Sequence, residues 1–287
     1  MRKVLLFVTF FLYAVFSYAS GDSLSLINGP WKVQEIKAGV RHLQVHFDNN
    51  QIFSSCQFIN IIEIDKSSKH VIEIVASPVL IETSKLAKSS GAFCAINGSF
   101  FKFEQGINTK DYNSVDYIRK DNKILAPNTY TGKNRSMHQR GALAIFNSKL
   151  YILKADELKE WEKLIQAQEI ITTGPILRVG GVDEKLEQSS FYVTRHPRTA
   201  VAIKEDGTIM LFTVDGRAKE SQGMTLEELQ KTLRWLGAKD IINLDGGGST
   251  TMYIEGFSDN GIVNCPSDNK IFDNKGERKV ANIIMVR

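Results

Sequence analysis

The chain is read first as a pattern of apolar and polar positions. Residues 41–47, Arg-His-Leu-Gln-Val-His-Phe, alternate polar and apolar, as do residues 69–75, and a period of two predicts half-buried strands. His42, His46 and His70 fall on the polar phase, so they are expected to face solvent rather than a metal. Residues 83–90 read as a short helix, and Ala92 to Ile96 as a buried strand ending in Asn97-Gly98-Ser99-Phe100-Phe101. Two apolar runs, 141–146 and 149–153, flank Asn147-Ser148 and predict a hairpin. A helix is expected from Asp156 to about Gln168, with Leu158, Trp161, Leu164 and Ile165 on one face. The strand 169–173 follows and ends in Gly174-Pro175. A second hairpin pairs Arg198–Lys204 with Thr208–Val214 through a turn at Glu205-Asp206-Gly207.

The sharpest punctuation lies further on. Thr225 and Glu228 form a capping box, and Leu226, Leu229, Leu233 and Leu236 make one apolar stripe of a helix. Gly237 suits the position just past its end. The apolar run Ile241-Ile242-Asn243-Leu244 then stops at Asp245-Gly246-Gly247-Gly248-Ser249-Thr250-Thr251. Three glycines carry no Cβ, so the backbone there can turn sharply and approach a ligand, and their amides can face an anion. Gly/Ser runs also serve as plain connectors, but a floppy linker is not expected directly after so well-bounded a helix and strand. Three helix-to-strand units therefore end at Asn97, Gly174 and Asp245. If their strands lie side by side in one sheet, those ends share a rim, where α/β sites gather. The polar stretch from Lys102 to Gln139 reads as a lid or partly mobile loop.

Composition changes this picture little. The chain has 287 residues and a net charge of +4, two units of which are Arg2 and Lys3. So weak a bias, with scattered basic residues, gives no reason to expect nucleic acid. Arg2 and Lys3, the apolar run Val4 to Phe16 and the small residues of Ser17-Tyr18-Ala19 read as a secretory signal over residues 1–19. The expected location is secreted or periplasmic, with no stable membrane span once that segment is removed. Cys56, Cys94 and Cys265 match no zinc spacing, and a pairing between two of them is left open.

Chemistry gathers at the hairpin and the glycine loop. Arg198 opens one hairpin strand and Asp215-Gly216-Arg217 follows its partner, so two guanidiniums and a carboxylate are expected at one edge. A structural Arg–Asp pair locking the hairpin end is the competing explanation. His196 is a loop histidine before Pro197 that could serve as acid or base.

These segments resemble the phosphodiester glycosidase family. The resemblance rests on Asn97-Gly98-Ser99-Phe100-Phe101, Gly174-Pro175, Arg198-Thr199-Ala200, Asp215-Gly216-Arg217, the helix from Gly223, Asn243 to Thr251, Pro266-Ser267-Asp268 and Gly276-Glu277-Arg278, in that order over residues 90–287. Ser99 departs from a position that is often Gly. The resemblance implies an α+β fold with a mixed β-sheet core and packed helices, and a single catalytic domain over 81–287; the segment over 20–80 before it carries none of these motifs and is expected to be β-rich from its strand pattern. It implies hydrolysis of the glycosidic C–O bond of a sugar-1-phosphodiester, such as a GlcNAc-1-phosphodiester of an envelope or extracellular glycan. Asp245, Asp215 and Asn97 are the expected catalytic residues, with Asp245 as base or nucleophile. Arg198, Arg217, Gly246, Gly247, Gly248, Ser249, Thr199, Gly174, Glu277 and Arg278 are expected to bind substrate and its phosphate. No cofactor is expected; Asp245, Asp215 and Asp268 could hold a divalent ion, but no ligand spacing demands one. A non-catalytic binder of anionic glycans and a phosphodiesterase cleaving P–O are the alternatives.

Overall fold

Strand Arg198–Lys204 lies inside an eight-stranded sheet that organises the molecule. The order is Lys32–Lys37, Val40–Ile52, Ser55–Ile64, Ile209–Val214, Arg198–Lys204, Ala238–Asn243, Ile176–Val179 and Val182–Asp183. These positions come from a computed structural model that describes residues 21–103, 111–128, 135–155 and 158–287. The expected leader, residues 1–19, lies outside them, as does the start of the helix expected from Asp156.

Two smaller sheets pack on the large one. Five strands run in the order Lys123–Ala126, Ile118–Lys120, Glu169–Thr173, Gly141–Phe146 and Lys149–Lys154. Four run in the order Met252–Ile254, Cys94–Asn97, Lys279–Val286 and Ile72–Glu82. Val201, Leu211 and Ile242 of the large sheet meet Ile96 and Ile284 of the four-stranded sheet and Leu143 and Ile171 of the five-stranded one in a shared core. On the opposite face Ala200, Ala202, Met210 and Phe212 pack under helix Leu226–Trp235 through Leu226, Leu229 and Leu233. The small Ala200 and Ala202 leave room for that helix, while Val201 between them fills the other side. Both faces of the central strands are covered, so they read as apolar runs rather than alternations.

The expectation of a mixed sheet is corrected here, and that of packed helices holds only in part. Every pairing between described strands is antiparallel. Helices are few and short, the longest described one having ten residues. The reason lies in the connections: none of the three helix-to-strand units returns its strand parallel to a neighbour. The fold is mostly β, three sheets in one domain.

Local signals fared better. Thr225 Oγ1 accepts from the Glu228 amide at 3.1 Å, and Glu228 Oε2 accepts from the Thr225 amide at 2.9 Å, so the capping box is formed. Gly237 has φ +91° just past the helix. Arg198 pairs with Val214 and Ile203 with Ile209 in the expected hairpin. The hairpin at Asn147-Ser148 turns through two positive φ values, 49° and 59°, as a two-residue turn of primed type requires. Within the described part, 158–168, of the helix expected from Asp156, the helix is Trp161–Leu164. Leu158 and Leu164 are both exposed, so no apolar stripe forms there. The polar stretch 102–139 carries the strands Ile118–Lys120 and Lys123–Ala126.

His42 also departs from expectation. It is 4% exposed, edge-on to the Phe257 ring, with Nε2 3.0 Å from Asn60 Oδ1. The tail loop around Phe257 covers this face of the strand, and burial lowers the pKa of the imidazole. His46 stays exposed, its Nε2 2.9 Å from the Glu220 carbonyl. All three cysteines are free.

Candidate active site

The strands ending at Asn97, Thr173 and Asn243 belong to three different sheets, yet their ends meet. The Asp245 amide donates to the Gly98 carbonyl at 3.1 Å. Asn97 Nδ2 donates to the Asp245 carbonyl at 2.7 Å, and Thr173 Oγ1 to the Asn243 carbonyl at 3.2 Å. The common rim is thus a convergence of sheets, not the edge of one. The glycine loop makes that convergence: it leaves the large sheet after Asn243, turns through Gly247–Ser249, and enters the four-stranded sheet at Met252–Ile254, beside Cys94–Asn97.

Asp245 sits at the start of this loop, half-buried. Burial raises its pKa to about 6, against opposing contributions from the Ser249 hydroxyl, Arg278, the Gly246 amide and Arg217. Its Oδ1 accepts from the Gly246 amide at 2.9 Å. The Ser249 hydroxyl is buried and closes no hydrogen bond of full geometry, but lies close enough to the carboxylate to favour its charged form. The Thr250 and Thr251 hydroxyls beside it are likewise buried, with no hydrogen-bond partner among the described residues.

Two arginines flank the loop. A Cβ on Gly247 would lie 2.9 Å from Arg217 Nη2, so that exposed guanidinium rests against the loop backbone. A Cβ on Gly248 would lie 1.8 Å from Asp268 Oδ1 and 2.3 Å from Arg278 Nη2. Arg278 and Asp268 form a bidentate pair, with Nε–Oδ2 and Nη2–Oδ1 both 2.7 Å. The pair can lie against the loop backbone only because residue 248 has no side chain. The amides expected to cradle phosphate are partly committed: Gly246 to Asp245 Oδ1 and Gly247 to the Pro197 carbonyl at 2.8 Å. Gly248 alone of the three has no amide partner among the described residues.

Other residues expected at the site are placed behind it. Arg198 is 1% exposed and points inward, donating to the carbonyls of Met224, Phe191 and Thr194 at 2.8–2.9 Å. Burial lowers its pKa to about 10, and it stays protonated at neutral pH. Asp215 is 1% exposed and meets neither arginine; its oxygens accept from Asn264 Nδ2 at 2.7 Å and the Cys265 amide at 2.8 Å. Burial raises its pKa to about 7. The expected hairpin edge of two arginines and a carboxylate is therefore not assembled, although the hairpin itself is.

Asn97 is fully buried, and its Oδ1 accepts from Thr199 Oγ1 at 2.7 Å and the Thr251 amide at 3.1 Å. With Nδ2 on the Asp245 carbonyl, it and Thr199 fasten the glycine loop. The Gly174 carbonyl accepts from Asn243 Nδ2 at 2.9 Å, and the Gly174–Pro175 peptide is cis. Glu277 accepts from the Ser84 amide at 2.8 Å and the Ser84 hydroxyl at 2.5 Å, which caps helix Thr83–Ser89; burial raises its pKa. His196 stands near Arg198 and Arg217, and burial, then those charges, lower its pKa and keep it neutral.

Two groups escaped the sequence reading. Asp268 was expected only within a tail motif and as a possible ion ligand, yet it holds Arg278. Asp116 and His138, inside the polar stretch, form a hydrogen-bonded dyad through His138 Nδ1. A spacing of 22 residues within loop-like sequence carried no signal for that pair. Among the described residues, no three His, Cys, Asp or Glu side chains are grouped to hold a metal, and no helix is long and apolar enough to cross a membrane.

Comparison with known proteins adds a family. A family model described as phosphodiester glycosidase matches residues 90–287. Over 80 residues the chain is 38% identical to the N-acetylglucosamine-1-phosphodiester alpha-N-acetylglucosaminidase of Mus musculus, covering 28% of this chain and 14% of that protein. Over 68 residues it is 38% identical to an uncharacterized SPbeta prophage-derived protein of Bacillus subtilis, covering 24% of this chain and 11% of that one. The shared stretches are thus a small part of these relatives' own length. The zebrafish N-acetylglucosamine-1-phosphodiester alpha-N-acetylglucosaminidase catalytic domain, solved auto-inhibited by its pro-peptide, superposes with a TM-score of 0.64 over 94% of both chains. At 17% identity that likeness is one of fold.

Proposed function

The chain belongs to the phosphodiester glycosidase family, and from that premise we propose that it hydrolyses the glycosidic C–O bond of a sugar-1-phosphodiester, with N-acetylglucosamine as the sugar. The observation that carries this reading is the half-buried Asp245 between Arg217 and Arg278 on a loop stripped of side chains. The phosphate monoester that departs is already a good leaving group. Catalysis then consists mainly of stabilising charge on that phosphate and on the oxocarbenium-like sugar. Arg217 and Arg278 supply positive charge for the first, with the Gly248 amide beside them. Asp245, with its pKa near 6, is mostly ionised at neutral pH and supplies the negative charge that faces the anomeric carbon. Asp268 orients Arg278; Asn97 and Thr199 hold the Asp245 backbone.

The leader-like residues 1–19 support a secreted or periplasmic enzyme, and an envelope or extracellular glycan is the polymer such an enzyme would meet. The test is kinetic. Asp245→Asn should lower kcat on a GlcNAc-1-phosphodiester by at least about 10²-fold while the variant still binds it. An Asp245→Asn protein with wild-type turnover would remove this residue from the chemistry. Tight binding with no turnover by the wild type would favour a glycan-binding module instead.

A further inference from the structure

Hydrolysis at an anomeric carbon usually draws on two groups: one faces the sugar and the other handles the proton of the attacking water. Asp245 fits the first role. Asp215, the expected second carboxylate, is 1% exposed and its oxygens are taken by Asn264 Nδ2 and the Cys265 amide. The second group has to come from elsewhere on the rim.

Resting on the function proposed above, we propose that His138, oriented by Asp116, is the general base that activates the hydrolytic water. Asp116 is 1% exposed. Its Oδ2 bonds His138 Nδ1, and its Oδ1 accepts from Gln139 Nε2 at 2.7 Å, which in turn donates to Asn128 Oδ1 at 2.9 Å. A carboxylate offers only acceptors, so Nδ1 carries a ring proton, and in the neutral imidazole the lone pair is on Nε2. Nε2 lies on the ring edge away from Asp116 and has no partner among the described residues. The His138 side chain is 23% exposed. This is the buried-acid, oriented-imidazole arrangement that proton-transfer sites use.

The dyad belongs to the same rim. A Cβ on Gly174 would lie 2.2 Å from the Met137 carbonyl and 3.6 Å from His138 Cα, so the turn carrying His138 rests on the Gly174 backbone. The Gly174 carbonyl is held by Asn243, two residues before Asp245. On its other side His138 meets Phe100, with ring centroids 5.6 Å apart, two residues after the Gly98 carbonyl that holds the Asp245 amide. Phe100 also contacts Phe191 at 6.2 Å, so His138 and the two phenylalanines form an aromatic wall suited to a sugar face. The other described histidines fit less well. His42 and His46 are committed to Asn60 and Glu220, His70 packs edge-on against Phe93, and His196 sits by two arginines with no carboxylate partner among the described residues.

In the proposed step Nε2 takes a proton from water as the water oxygen bonds to the anomeric carbon. The C–O bond to phosphate breaks, and its electron pair leaves on the phosphate oxygen. The imidazolium then returns its proton to solvent. Asp245 remains free to face the developing positive charge.

The experiment uses the full chain and a GlcNAc-1-phosphodiester with azide as an added nucleophile that needs no deprotonation. His138→Gln should lose about 10²–10³-fold in kcat with KM within about threefold. Azide should restore part of that rate and yield glycosyl azide, whereas Asp245→Asn should not respond. Asp116→Asn should show a smaller loss with the same azide response, and it serves as the probe should His138→Gln fail to fold. Wild-type kcat in His138→Gln, or a loss in both folded variants that azide leaves unchanged, overturns the assignment. If the wild type turns over no sugar-1-phosphodiester, the proposed function fails and this role falls with it. A wild type that turns over while His138→Gln is unaffected fails the role alone.

Discussion

Gly248→Ala separates the chemistry of the glycine loop from its folding. The new Cβ would be placed 1.8 Å from Asp268 Oδ1, 2.3 Å from Arg278 Nη2 and 2.6 Å from its Cζ. These are the ends of two flexible side chains, so they can swing away and the fold can survive. The stability lost is that of one bidentate pair whose side chains are 24% and 34% exposed. Charge-assisted bonds of this kind contribute about 1.5–3 kcal/mol when shielded, and exposure brings that to about 1–2 kcal/mol here. For 287 residues the unfolding entropy at Tm is about 0.6 kcal/mol per kelvin, so Tm should fall by about 2–3 °C. The kinetic effect should be far larger. An oriented cation facing departing phosphate contributes about 3–4 kcal/mol to the transition state, so kcat/KM should drop by about 10²-fold or more. Differential scanning calorimetry and steady-state kinetics on one sugar-1-phosphodiester measure both. Gly246→Ala is the control: its Cβ would meet the Pro197 backbone carbonyl at 2.7 Å, which cannot swing aside. That variant should lose about 1–3 kcal/mol of stability through backbone displacement. A Gly248→Ala protein with the expected Tm shift but kcat/KM within threefold of wild type would refute the role given to Arg278.

Other consequences can be tested alongside. The acid limb of the wild-type kcat/KM profile should lie near pH 6, since Asp245 must be ionised, and Arg278→Met should move it upward by removing a cation that favours the carboxylate. Asp215 has a folded-state pKa of about 7, above its unfolded value of 3.8, so its contribution to stability is full below pH 3.8 and is lost as pH rises through 7. That loss is about 3–4 kcal/mol, and urea unfolding of Asp215→Asn between pH 4 and 8 should show it removed while turnover at pH 7 stays within about fivefold. Asn97→Ala breaks three hydrogen bonds and frees the Thr199 hydroxyl and the Thr251 amide, at a cost of about 2–4 kcal/mol by chemical denaturation.

What the sequence made legible was local. The capping box at Thr225 and Glu228, the Arg198–Val214 hairpin and the stop at Asp245 each follow from residues within one helix, turn or strand, and the structure contains all three. The shared rim was also anticipated, but its cause was not. A sheet's membership is decided by strand partners far along the chain, such as Ile284 beside Ile96, and no short pattern encodes that choice. The same holds for side-chain direction. Arg198 and Asp215 stand at the predicted hairpin end, yet their partners come from Phe191, Thr194 and Met224 in one case and Asn264 and Cys265 in the other. Asp215 is drawn away by a tail loop about 50 residues downstream. His138 was hidden because its chemistry depends on Asp116, and neither residue has a neighbouring motif to mark it.

The central claim is that Asp245, between Arg217 and Arg278, serves cleavage at the sugar side of the phosphodiester. Hydrolysis of a GlcNAc-1-phosphodiester in heavy-oxygen water tests it most directly, read by mass spectrometry of both products. The account predicts the label on the anomeric hydroxyl of the released sugar and none on the phosphate. Label on the phosphate would mean attack at phosphorus and would contradict it.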